Sequence, residues 1–168
     1  MFNHCPNCQS RKIIFVEQRY FQCPDCDFCY FHNIAAAVAA IIQYQDKILL
    51  TTRAKQPGQG LLDLPGGFVD ANESLEQALS REVQEELGIC ITAWQYFVSL
   101  PNVYQYKNIT YHTLDSVFLT TLAEPPKLTL EASEISDSTW LNVNDIDLEK
   151  IAFPSLRQAI LLLQQQES

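Results

Sequence analysis

Residues 74–88, SLEQALSREVQEELG, leave the surrounding chain little freedom. Ser74 followed by Gln77 is a capping-box signature, and Gly88 supplies the residue past a carboxyl end, so the spacing predicts a helix from about Leu75 to Leu87. At about 100° per residue from Leu75, the apolar Ala78, Leu79, Val83 and Leu87 fall at roughly 300°, 40°, 80° and 120°, a stripe that has to meet a core. Glu82 and Glu86 fall at roughly 340° and 20°, inside that stripe, and Glu85 flanks it at about 280°. Gln77, Ser80, Gln84 and Arg81 take the outward arc. Like charges at i and i+4 cost about 0.2–0.5 kcal/mol, and acid in a last helical turn costs a further ~0.3–1 kcal/mol per group. Burying an unpaired carboxylate costs several times more. A charge run is ordinarily a solvated face; this spacing instead asks for a cation among the carboxylates. Oxygen ligands select a hard dication, Mg2+ or Mn2+, and such ions keep waters and hold substrate phosphates.

The charge balance makes that cation necessary for any anionic substrate. Eleven Lys and Arg face twenty Asp and Glu over 168 residues, a net charge of -9. This argues against broad attraction to nucleic acid or anionic membrane. The start, MFNHCPNCQS, has no basic segment followed by an apolar one, and the longest apolar run, Ile34 to Ile42, is too short to span a bilayer. The expectation is a soluble, cytoplasmic chain with no membrane or nucleic-acid partner.

From Ile34 the chain reads as a strand, a turn at QYQDK, and a second strand, ILLTTRA. Pro57, Gly58 and Gly60 mark a loop, RAKQPGQG, and LLDLPGG leads into the helix. Beyond it, ITAWQYFVSL and ITYHTLDSVFLTTLA read as strands joined by PNVYQYKN. STWLNV reads as another strand, and PSLRQAILLLQQQ as a closing helix with Ser155 as its candidate cap. Strands on both sides of a central helix give a mixed α/β layer architecture.

Gly67, Glu73, Arg81-Glu82-Val83, Glu85-Glu86 and Gly88-Ile89 match the complete Nudix box, and the chain resembles that family. The resemblance implies an α/β/α sandwich with a mixed sheet, and hydrolysis of a nucleoside diphosphate linked to another moiety by metal-activated water. It assigns Glu82, Glu85 and Glu86 to the divalent ions, with the Gly67 carbonyl as a further ligand, and pairs Glu73 with Arg81 to fix the loop. Many members add a glutamate from outside the box. Glu134, in LEASEISDSTWL, resembles the EIxxAxW segment of zinc-containing NADH pyrophosphatases, with Ser138 in place of the alanine. Glu131 is the other acid there, and a solvated loop acid is the competing reading for both.

Five of six cysteines lie in the first 29 residues, and four form the knuckles CPNC (Cys5, Cys8) and CPDC (Cys23, Cys26), fourteen residues apart. Two such turns complete a tetrahedron of sulfurs around structural zinc and leave no open coordination position. A disulfide pair or redox CxxC is the weaker reading, because neither an export signal nor a βαβ unit accompanies the motif. Cys29 and His4 are spare, and Cys90 reads as a buried core thiol. A unit this small needs its metal to fold. The expected division is a zinc ribbon over 1–33 and the larger domain over 34–168.

A ribbon ahead of a Nudix domain resembles the NADH pyrophosphatase branch. The branch's SQPWPFPxS is SLPNVYQYKN here, keeping Ser99 and Pro101, and its YPR is FHN. NADH, ADP-ribose or a similar nucleoside diphosphate derivative is therefore the expected substrate. Tyr104, Tyr106 and Tyr111 are candidates to stack on a base and Arg53 to meet a phosphate; packing is the commoner role for such aromatics. The competing readings are a nucleoside triphosphate pyrophosphohydrolase and a non-catalytic dinucleotide sensor whose ribbon reads nucleic acid or protein. The ribbon's Arg11, Lys12 and Arg19 make a poor nucleic-acid surface, which leaves it packing on its neighbour or forming a homodimer interface.

Overall fold

The computed structural model describes residues 2–17, 19–107 and 109–166, and the side chain of Tyr106 lies outside the described set. The chain divides into two compact units, Met1–Ile34 and Ala35–Ser168. In the first, β1 (Ile14–Val16), β2 (Tyr20–Gln22) and β3 (Cys29–Phe31) form an antiparallel sheet in the order β1-β2-β3. Apart from Cys5 and Cys23, its one buried apolar side chain among the described residues is Phe21, in contact with the rings of Phe2, Phe15, Phe28 and Tyr30.

The second unit is a mixed sheet between two helices. Its strands are β4 (Ala35–Tyr44), β5 (Lys47–Arg53), β6 (Leu62–Asp63), β7 (Gly66–Phe68), β8 (Gln95–Tyr106), β9 (Ile109–Thr121) and β10 (Ile135–Asn142). The main order is β10-β5-β4-β9-β8, with β4 and β9 parallel and the other pairs antiparallel. β4 has no polar alternation because both its faces are covered. Val38, Ala40 and Ile42 pack under α1 (Leu75–Leu87), against Ala78, Leu79, Val83 and Leu87. Ala39 and Ile41 pack on the opposite side with Leu156, Ala159, Ile160 and Leu163 of α2 (Pro154–Gln166). A fully buried side chain of this kind contributes roughly 1.5–3 kcal/mol, so the two faces together fix the sandwich.

β4 and β5 pair only beside their two-residue turn, at Gln43↔Ile48 and Tyr44↔Lys47, and then diverge. β6 takes the free edge of β5 and β7 that of β4. The split leaves open space between the strand ends, and the functional side chains collect there. No helix among the described residues is long and apolar enough to cross a membrane.

Three sequence expectations are corrected. PNVYQYKN is no connection: β8 continues through it, paired with β9 as far as Tyr106↔Ile109. Pro101 is tolerated because β8 is an edge strand of the main order. Ser155 does not cap α2. The helix opens with Pro154, whose missing N–H is no loss at a first position, and Ser155 is buried inside the first turn. Cys90 is exposed.

Candidate active site and cysteine centre

α1 is built as its sequence predicts. Ser74 accepts from the Gln77 backbone, the Gln77 side chain accepts from Ser74 N–H, and Gly88 is left-handed. The rigid frame sets Glu82 and Glu86 against β7, with Glu85 on the exposed flank. Gly66 N–H donates to Glu86 Oε2 at 2.9 Å. A Cβ on Gly66, at φ 149°, would lie 2.1 Å from the Val38 carbonyl oxygen, and one on Gly67 would lie 2.5 Å from Glu82 Cδ. Only two glycines let strand and carboxylates approach this closely.

Arg81 organises the acids around it. Its Nε and Nη2 donate to the two Glu73 oxygens at 2.8 and 3.0 Å, and Nη2 also reaches the Phe68 carbonyl. Nη1 meets Glu82 at 2.8 Å and Glu85 at 3.3 Å. The pairing with Glu73 matches the sequence reading; the contacts with Glu82 and Glu85 do not, because helical projection puts Arg81 on the outer arc and says nothing of where a long side chain bends. Hydrogen bonds from Arg81 hold Glu73 below the ordinary carboxylate range. Burial pushes Glu82 up against the pull of Arg81. Glu86 has no basic partner among the described residues. Burial drives it up to about 8, partly opposed by the Gly66 N–H and reinforced by Glu82, Asp63 and Glu134.

These groups line a cavity of about 690 Å3, a size typical of small-molecule sites. Its described lining includes eight carboxylates against three basic side chains, Arg53, Lys55 and Arg81, so it attracts a cation before an anion. Glu134 is on its wall, with Lys55 Nζ 2.6 Å from its Oε1. Glu131 lines it too, but its carboxylate turns to Ser133. Arg53 is in the lining yet already engaged: it pairs with Asp63, donates to the Pro57 carbonyl and lies 4.9 Å above the Phe153 ring. Burial, against the pull of Arg53, raises Asp63 to about 6. The RAKQPGQG loop closes back on Arg53 through its N–H to Leu61 and its carbonyl to Gly60. Tyr104 reaches the cavity, edge-on to Phe68 and tilted on Phe153. Tyr111, its register partner, is exposed and outside the lining. Tyr106 lies outside the described side chains.

Sequence reasoning missed Asp63, Asn102, Thr113 and Asp115, all buried and all in the lining. A signal existed: an aspartate in the middle of an apolar strand needs a buried partner or a ligand. Asp115 accepts from Asn102 Nδ2 at 2.9 Å, Thr113 Oγ1 at 2.7 Å and Ser155 Oγ at 2.5 Å.

In the first unit, Cys5, Cys8, Cys23 and Cys26 bring ligand atoms within 4.8 Å of one another, a set that could hold a metal ion. Asn7 Nδ2 donates to Cys26 Sγ at 3.5 Å, and this contact, with the Phe28 N–H, brings that thiol down to about 6. Cys29 is exposed on β3, and His4 accepts from Arg11; neither joins the cluster.

Sandwich, glycine-paired β7 and acid-bearing helix define a class. The sequence model of the NUDIX domain matches residues 32–163, and the chain belongs to that family. It is 30% identical over 144 residues to the NAD-capped RNA hydrolase NudC of Vibrio cholerae, matching 84% of this chain and 50% of that protein. The chain spans about half the length of the curated relatives it matches. Among solved structures, the MutT NUDIX hydrolase of Burkholderia pseudomallei superposes with a TM-score of 0.67 at 25% identity, over 77% of this chain and 98% of that one. A bifunctional NMN adenylyltransferase/ADP ribose pyrophosphatase of Francisella tularensis, complexed with AMP and a Mn ion, gives 0.59 at 26% identity over 80% and 42%.

Proposed function

We propose that this chain is a cytoplasmic enzyme that hydrolyses the pyrophosphate bond of a nucleoside diphosphate linked to another moiety, NADH and ADP-ribose being the leading substrates. The observation that carries this is Glu86, a carboxylate buried in a cavity, held by one N–H and facing no base among the described residues. With Glu82, Glu85 and the backbone of Gly67 it forms an all-oxygen donor set, the chemistry that suits Mg2+ or Mn2+. The Mn ion bound by the Francisella tularensis protein supports the assignment. A dication held there polarises a phosphoryl oxygen and lowers the pKa of its bound water.

Arg81 and Glu73 keep the segment between β7 and α1 in place, so Glu82 and Glu85 are preset before any ligand arrives. Glu134, on the cavity wall beside Lys55, is our candidate for the base outside the box. Cys5, Cys8, Cys23 and Cys26 hold structural zinc, which supplies the folding energy that a unit with one buried phenylalanine lacks.

A net charge of -9 disfavours nucleic acid at large, but the NAD-capped RNA that names the relatives brings a capped RNA end into the assay. NADH, NAD+, ADP-ribose, FAD, NAD-capped RNA and nucleoside triphosphates are incubated with Mg2+ and read by mass spectrometry. The expected products are two monophosphates from at least one dinucleotide or sugar nucleotide. Pyrophosphate release from triphosphates alone refutes the substrate class. ADP-ribose bound but never cleaved, with Mg2+ present, leaves the sensor reading instead.

A further inference from the structure

Asn102 is buried, 7% exposed, and its Oδ1 has no hydrogen-bond partner. Its orientation is dictated. The other end of the amide, Nδ2, donates to Asp115, whose carboxylate also collects Thr113 and Ser155 and so takes donors only. Turning the amide over would set oxygen against oxygen. Oδ1 is therefore the atom left over, and Asn102, Thr113 and Asp115 all line the cavity. A buried acceptor with nothing to accept costs free energy that a well-satisfied neighbourhood does not otherwise waste.

The surroundings say what would satisfy it. Tyr104 meets the rings of Phe68 and Phe153 in the same lining, and Ala37 and Ala39 of β4 keep that part of the cavity open. Asp115 is in register with Ala37 on one edge of β4, and Phe68, Gly67 and Gly66 lie along the other edge. Two inter-strand spacings, about 10 Å, thus separate Asp115 on β9 from the glycines beside the carboxylates of α1, and Asn102 sits one strand further out on β8, its side chain reaching back to Asp115. A nucleoside bridges such a gap, with its 5′-phosphate at the glycines and the far edge of its ring at Asn102.

We infer that Asn102 is a specificity-determining residue whose Oδ1 accepts an N–H from the exocyclic amino or carboxamide group of a heteroaromatic ring seated beside Tyr104. This rests on the nucleotide reading given above and deepens it. Adenine and nicotinamide both offer the required donor, and two matched pairs separate them. One pair is AMP and purine riboside monophosphate, which differ by the ring amino group. The other is nicotinamide mononucleotide and its 3-acetylpyridine analogue, in which a methyl replaces the amide nitrogen.

The four compounds are titrated calorimetrically into the whole chain with Mg2+, so the readout does not depend on turnover. One amino- or amide-bearing member should bind roughly tenfold tighter than its partner, the usual worth of one buried hydrogen bond. Asn102→Ala should bring that pair to parity. Equal binding within both pairs, no binding of any of the four, or a preference that survives Asn102→Ala would each overturn the assignment. The comparison within the unsubstituted protein stands even if the variant does not fold. A tenfold preference without hydrolysis of any tested pyrophosphate would sink the enzyme reading and leave this one intact.

Discussion

Glu86→Gln should make the metal-free protein more stable, by an amount that grows as pH rises from 4.5 to about 8. The folded chain keeps the Glu86 proton up to about pH 8, whereas the group ordinarily releases it near 4.5. Between those limits the folded state binds more protons than the unfolded one, so stability falls as pH rises through the window and is flat in this group outside it. The span from 4.5 to about 8, at about 1.4 kcal/mol per pH unit, sets a ceiling of about 5 kcal/mol. Water reaching the carboxylate through the cavity lowers the expectation to about 2–4 kcal/mol. Glutamine keeps the shape and still accepts from Gly66 N–H. Urea unfolding in excess chelator, at pH 5 and pH 8.5, measures the difference. The two proteins should agree within about 0.5 kcal/mol at the lower pH, and the variant should lead by the stated amount at the higher. Saturating Mg2+ should cancel most of that lead, since a ligand at a hundredfold its Kd adds about 2.7 kcal/mol to the chain that binds it. Parallel pH profiles in chelator, or a wild type that gains stability on going to pH 8.5, would refute the claim that burial sets the state of Glu86.

Gly67→Ala places a methyl 2.5 Å from Glu82 Cδ; the carboxylate must shift by an ångström or so, which should cut turnover by roughly a hundredfold with little change in Tm. Unchanged turnover would mean that Glu82 need not sit where it does. Removing metal with a strong chelator should release one zinc per chain and erase amide protection in β1–β3 while β4 and β9 keep theirs, read by hydrogen exchange and metal analysis. Retained protection in the ribbon would make its metal dispensable.

Helix α1 was legible because every level agrees there: caps, stripe and the misplaced acids all point to one element with one unusual demand. The cysteine cluster was legible for a similar reason, since spacing alone dictates where the sulfurs turn. β4 was legible as a strand but not in its facing, because a strand covered on both faces loses the alternation that reveals orientation. The end of β8 was misread because Pro101 and Asn102 are turn-formers everywhere except on a sheet edge. The Asp115 cluster stayed hidden for a different reason. Its members sit at positions 102, 113, 115 and 155 and meet only through strand pairing and the docking of α2.

The role of Arg81 follows from how its donors are divided. Glu73 takes Nε and one side of Nη2, and the Phe68 carbonyl takes the other side, so the guanidinium is anchored independently of the acids on its own helix. Only Nη1 is shared with Glu82 and Glu85. A dication arriving at those carboxylates therefore competes with single N–H contacts and need not expel the arginine, whose grip on the loop persists. One guanidinium against Glu73, Glu82 and Glu85 still leaves the site negative with Glu86 protonated, in a chain of net charge -9. A diphosphate approaching this wall alone is repelled, and one approaching after the cation is not. On the function proposed above, the same imbalance that makes the metal-free site costly would impose an order on binding, metal before substrate, without any moving part.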